Sequence, residues 1–145
     1  MTNEQTAKMT LTAGAATLIA TGAVAQANSA EVDKAFETLK TYDWGTDRAM
    51  LNPIDQAIIA THGDAAARQA LEKRLVDALA GGLSRSAQDY VCRKLRVVGT
   101  SQSVEALAAL LAEEKTSHIA RYALERMPGA KATEAMRDAL PKVRS

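Results

Sequence analysis

Asp89-Tyr-Val-Cys-Arg-Lys-Leu-Arg-Val-Val-Gly99 is written a second time, in altered but parallel form, as His118-Ile-Ala-Arg-Tyr-Ala-Leu-Glu-Arg-Met-Pro128. Ser103-Val-Glu-Ala-Leu-Ala-Ala-Leu-Leu111 matches Ala132-Thr-Glu-Ala-Met-Arg-Asp-Ala-Leu140 in the same way, without a gap, at the same offset of 29 residues (89 to 118, 103 to 132). Large apolar residues recur at matched positions: Tyr90 with Ile119, Leu95 with Leu124, Val98 with Met127, Leu107 with Met136, Leu111 with Leu140. Each copy reads as two short helices around a turn, and a period in this range marks a stacked array. One such pair buries only a few side chains, worth ~1.5–3 kcal/mol each, against an ordering cost of ~1–2 kcal/mol for every residue. The pairs must therefore stack to be stable.

Working backwards from that stretch, Asn52-Pro53 reads as a helix start, with Asn as cap and Pro at a position whose amide would be unpaired anyway. Ile54, Ala57 and Ile58 give that helix a buried face. Gly63-Asp64 makes a tight link, Asp capping the helix that follows, which carries Leu71 and Leu75. The segment from Pro53 to Ala80 is an earlier copy, in which Ile59 corresponds to Leu95, Leu71 to Leu107 and Leu75 to Leu111. Working forwards, Glu113-Glu114-Lys115-Thr116 is a link, Ser117 is the expected cap of a helix from Ile119 to Met127, and Ala132 to about Lys142 closes the chain. Val32, Ala35, Phe36 and Leu39 form a helical stripe in a first helix over Glu31–Thr41. No stretch alternates with period two. The expected fold class is all-α: an α-α superhelix of about three helical hairpins (about 53–80, 86–112 and 117–142, within a repeat domain over 51–145) after an N-terminal capping helix and aromatic turn over 28–50.

Residues 1–27 differ from the rest. A polar start with Lys8, an Ala/Thr-rich apolar middle and Ala25-Gln26-Ala27 have the three parts of a secretory signal, with cleavage expected after Ala27 and an exported mature chain. The alternative is an Ala/Thr-rich tail on a cytoplasmic protein. The apolar middle is too short and mild for a stable membrane span.

The formal charge is +1, which argues against a nucleic-acid partner, since such modules carry a marked basic excess. The charge is uneven, however. From Gly81 onward eleven Lys and Arg residues face seven Asp and Glu residues. Arg93, Arg121 and Arg137 are candidates for a basic face that contacts an acidic protein partner; the competing reading is a solvated helix surface. Tyr42 and Trp44 lie in Tyr42-Asp-Trp-Gly-Thr-Asp47 and serve either as an end cap of the array or as aromatic contacts for a partner. No catalytic, cofactor-binding or metal-ligating set emerges. His62 and His118 lack any ligand spacing, the single cysteine, Cys92, reads as a buried helix residue, and there is no phosphate-binding glycine loop.

Gly99-Thr-Ser-Gln-Ser-Val-Glu-Ala-Leu-Ala-Ala-Leu-Leu111, and Ala120-Arg-Tyr-Ala-Leu-Glu-Arg-Met-Pro128 ahead of Thr133-Glu-Ala-Met-Arg-Asp-Ala-Leu140, resemble short HEAT-type repeats, close to the phycobilisome-lyase HEAT-like group. The resemblance covers about Pro53 to Leu140; with Tyr42-Asp-Trp-Gly45 and the signal-like start it extends to small exported bacterial HEAT-repeat proteins. Pro128 stands where that pattern has Gly, and Cys92 where the second copy has Arg121. The resemblance implies a binding or scaffolding superhelix with a protein partner, no cofactor and no catalytic residue, because the shared positions are packing positions. A bilin-lyase-like enzyme or subunit, suggested by the group's name, and a self-associating structural unit are the alternatives.

Overall fold

The computed structural model describes residues 28–142, so the expected leader and its cleavage point lie outside the described residues. The chain divides into two compact units, Met1–Lys34 and Ala35–Ser145; residues 28–34 of the first are helical. Helix α1 takes in 28–41. It is followed by α2 (Asn52–Ala60), α3 (Ala65–Ala80), α4 (Arg85–Val98), α5 (Val104–Leu111), α6 (Glu114–Leu124) and α7 (Ala130–Ala139), with short 3-10 turns at Arg48–Leu51 and Ser101–Ser103. Among the described residues there is no strand, and the all-α repeat architecture stands.

Several starts are set by local chemistry the sequence displays. Asp64 accepts the Ala67 amide at 3.0 Å and so caps α3, and the Ser84 hydroxyl accepts the Ala87 amide at 3.1 Å at the head of α4. Two expected caps are displaced. Asn52 makes no capping bond, because the 3-10 turn before it already carries the chain into the helix; the cap is Asp47, whose carboxylate accepts the Ala49 amide at 2.9 Å. Ser117 lies inside α6, which begins at Glu114, since the link from α5 is only Ala112 and Glu113 and Thr116 bonds back to the Leu110 carbonyl at 2.8 Å.

Packing within the second unit runs across the sequence copies more than within them. Helix α4 lies on α6 and α3, and α5 lies on α6 and α7. The extended backbone at Gly99 and Thr100 and the 3-10 turn after it carry α5 away from α4 before α5 begins. Neighbouring repeats therefore supply most of the packing of α3 to α7. Leu75, Val91, Leu95, Leu107 and Leu124 are fully buried along this seam, and the matched pair Leu95 and Leu124 occupies equivalent core sites in the two copies. Gly99 is required by closeness: a Cβ there would stand 2.3 Å from the Leu95 carbonyl oxygen and 2.5 Å from the Met127 methyl of the next copy.

Two expected core positions are not core. Ile59 is 66% exposed, because α2 is short and buries Ile54 instead. Leu140, the residue that caps α7, is 65% exposed among the described residues. Inter-repeat polar ties complete the packing. Arg68 donates to the Val97 carbonyl at 2.6 Å and Arg96 to the Tyr122 carbonyl, each placing a cation near a helix C-terminus where the backbone dipole favours it.

Candidate partner-binding surfaces

The segment between α1 and α2 is a tight turn that presents Trp44 to solvent. The Asp43 carboxylate accepts the Trp44 amide at 2.8 Å, the Asp43 amide donates to the Thr46 hydroxyl at 3.3 Å, and Gly45 takes the left-handed conformation, φ 91°, that suits glycine. The Ser84 hydroxyl donates to the Tyr42 carbonyl and ties this turn to the start of α4. Trp44 is 93% exposed. Trp44 thus stands at the surface, whereas in the same region Tyr42 is half-buried and Leu39 and Leu51 are fully buried.

Beside the turn, Arg48, Arg85, Asp89, Tyr90 and Arg93 line a depression of about 490 Å³ together with Trp44 and Tyr42. Tyr90 and Arg48 of that lining also belong to an organised polar cluster. Asp55 accepts from the Tyr90 hydroxyl at 2.8 Å and pairs with Lys94 at 2.7 Å and Arg48 at 3.1 Å, while both cations lie about 5 Å from the Tyr90 ring centre. Burial alone would raise the Asp55 pKa, but the bonds from Lys94, Tyr90 and Arg48 outweigh it and hold the carboxyl below its ordinary value. Burial and the Asp55 partner push the Tyr90 phenol upward. The ionised Asp55 carboxylate and the protonated Tyr90 phenol are thus each favoured by the bond they share. Cys92 behaves similarly: it is fully buried, and burial, with Asp89 nearby, pushes the thiol up to about 12, away from a reactive thiolate.

A second surface lies at the far end of the stack. Because α7 packs mainly on α5, α6 and α7 splay and leave an open groove of about 540 Å³. Leu111, Met136 and Leu140 supply apolar lining, with His118, Arg121 and Arg137 among the remaining residues and no carboxylate lining it. Arg121 retains a loose bridge of 3.5 Å to Glu125 outside the groove.

The three arginines singled out in the sequence therefore divide. Arg121 and Arg137 share the terminal groove, whereas Arg93 belongs with Tyr42 and Trp44 at the other depression. His118 joins the groove; His62 lines neither surface. Sequence reasoning missed Asp55 and Lys94, and it also missed Glu72, in the middle of α3 and only 1% exposed. It accepts the Thr100 amide at 2.7 Å, the Thr100 hydroxyl at 3.0 Å and the Ser103 hydroxyl at 2.5 Å, so a carboxylate of one repeat caps the turn that opens α5 in the next. Among the described residues no group of three or more His, Cys, Asp or Glu side chains is placed to hold a metal ion, and no helix is long and apolar enough to cross a membrane.

Fold and surfaces together define an all-α protein of stacked helical repeats with an aromatic-basic depression and an apolar-basic groove. No protein-family model, no curated protein and no solved structure matches the chain.

Proposed function

We propose that this chain is a non-enzymatic binding module of HEAT-like repeats that holds a protein partner through the groove between α6 and α7. The observation that carries the reading is the composition of that groove: an apolar floor of Leu111, Met136 and Leu140 beside Arg121 and Arg137, with no lining carboxylate. Apolar area supplies association free energy and a one-signed rim selects the partner's charge, so the fitting element is an amphipathic helix with acidic residues flanking its apolar stripe. The resemblance to HEAT-type repeats, whose long faces contact other chains, points the same way. Export after cleavage near Ala27 belongs to the same proposal.

The test is calorimetric titration of the full chain with an acidic amphipathic helical peptide, alongside its glutamine-substituted counterpart. Saturable binding of the acidic peptide, weakened about tenfold or more by Arg121→Ala with Arg137→Ala at unchanged helicity, is the expected result. Equal affinity for both peptides, or no effect of the double substitution, contradicts it. If Leu140 instead seats a second copy, the chain sediments as a dimer and Leu140→Glu makes it monomeric.

A further inference from the structure

We propose that the stripe from Trp44 along α4 to Tyr122 is a second binding surface, which takes an extended acidic peptide segment in a defined register. The inference stands independently of the terminal groove, since the two surfaces share no lining residue.

The stripe is built from charges at helical spacing. Arg85, Asp89 and Arg93 are successive i, i+4 positions of α4, and Arg93 Nε bonds to the Asp89 carboxylate at 2.8 Å. That bond leaves both terminal guanidinium nitrogens of Arg93 available. Among the described residues Arg85 makes no salt bridge. Past Arg93, the Arg96 and Arg93 guanidinium groups lie 3.8 and 5.6 Å from the centre of the Tyr122 ring, so the cationic line continues over the next repeat. Arg48 and Lys94 flank it. These five cations have two carboxylates among them, Asp55 and Asp89, and both are already engaged. At the other end stands Trp44, whose indole is held out by a hydrogen-bonded turn and covered by nothing. An exposed aromatic on a hydrogen-bonded turn, beside Arg85 and the terminal nitrogens of Arg93, offers a partner apolar area and charged donors together.

Spacing selects the occupant. Residues four apart on a helix are separated by about 6 Å along its axis, close to the roughly 6.7 Å between same-side residues of an extended chain. The order Arg85, Asp89, Arg93 is therefore complemented by an extended segment with a carboxylate, then an uncharged or basic donor, then a carboxylate, at alternate positions. An apolar residue next to the first carboxylate covers Trp44. A nucleic-acid strand fits less well, because every nucleotide carries a phosphate and one of them would stand against Asp89.

Trp44 is the single tryptophan of the chain, so its emission reports on this surface directly. The experiment titrates the full chain with the peptide acetyl-Phe-Glu-Ala-Gln-Ala-Glu-amide while Trp44 fluorescence is followed. The controls are the same peptide with both Glu replaced by Gln, and an oligothymidylate. The proposal expects a saturable shift or quenching with the acidic peptide. Affinity should fall about tenfold or more in the Arg85→Ala, Arg93→Ala double variant at unchanged helicity, fall with added salt, and be unaltered by Arg121→Ala with Arg137→Ala. Three results would each overturn it: no saturable change, equal binding of the Gln peptide, or tighter binding of the oligothymidylate, which would assign the surface to nucleic acid.

Discussion

Replacing Glu72 by Ala should loosen the joint between successive repeats more than any surface substitution. The Glu72 carboxylate is the shared acceptor for the Thr100 amide, the Thr100 hydroxyl and the Ser103 hydroxyl. Its removal strands donors in a site where Ser103 is fully buried. Each buried donor left without a partner costs ~1–3 kcal/mol, and Thr100, being exposed, recovers part of its loss from water. The net expectation is ~2–4 kcal/mol, or roughly 8–16 °C in melting temperature at ~4 °C per kcal/mol for a domain of this size. Glu72→Gln keeps the shape and one acceptor oxygen and should cost about half as much. A double-mutant cycle in thermal unfolding sharpens the test. With Ser103→Ala in the Glu72→Ala background no buried hydroxyl remains stranded, so the pair should be less destabilising than the sum of the singles by ~1–2 kcal/mol. A Glu72→Ala chain melting within ~2 °C of the parent, or strictly additive singles, would refute the reasoning.

Three further outcomes follow from other groups. Asp55→Asn should cost ~1–2 kcal/mol at neutral pH. The folded-state pKa of Asp55 lies below the ordinary 3.8, so its bonds contribute above that pH and are lost as pH falls through the folded value; the gap between variant and parent should narrow in acid unfolding curves below pH 3.8. Cys92, with its thiol raised to about 12, should resist alkylation at mildly alkaline pH in the native chain and react once urea unfolds it, as read by mass spectrometry. Gly99→Ala should destabilise by ~1–3 kcal/mol, and Met127→Ala should not rescue it, because the closest atom to the new methyl is the backbone oxygen of Leu95.

The helices were legible because their determinants are local or periodic. Asp64 announces the start of α3, and the doubled pattern around Leu95 and Leu124 announces stacked copies whose matched residues are buried together. What the pattern cannot carry is which copy of a position is covered: Leu140 repeats Leu111 in sequence, yet is 65% exposed where Leu111 is buried. Glu72 is illegible for a different reason. Within Leu71-Glu-Lys-Arg-Leu75 it reads as one more solvated charge, and its burial is decided by Thr100 and Ser103, far along the chain. The candidate surfaces were half legible. Arg93, Arg121, Arg137, Tyr42 and Trp44 all line one of the two depressions, but their division into two sites depends on how α6 and α7 splay. The Asp55–Tyr90–Lys94 cluster, assembled from α2 and α4, left no sequence trace.

The account rests on repeats that hold one another in place, so disturbing one end of the stack should be felt at the other. Leu124 is buried in α6, and Leu124→Ala should cost ~2.7–5 kcal/mol. In native-state hydrogen exchange the slowest amides of α3 should then speed up together with those of α6, by roughly a hundred- to a few-thousand-fold. If α6 amides exchange faster while those of α3 keep their parental rates, the repeats are separately stable and the account is wrong.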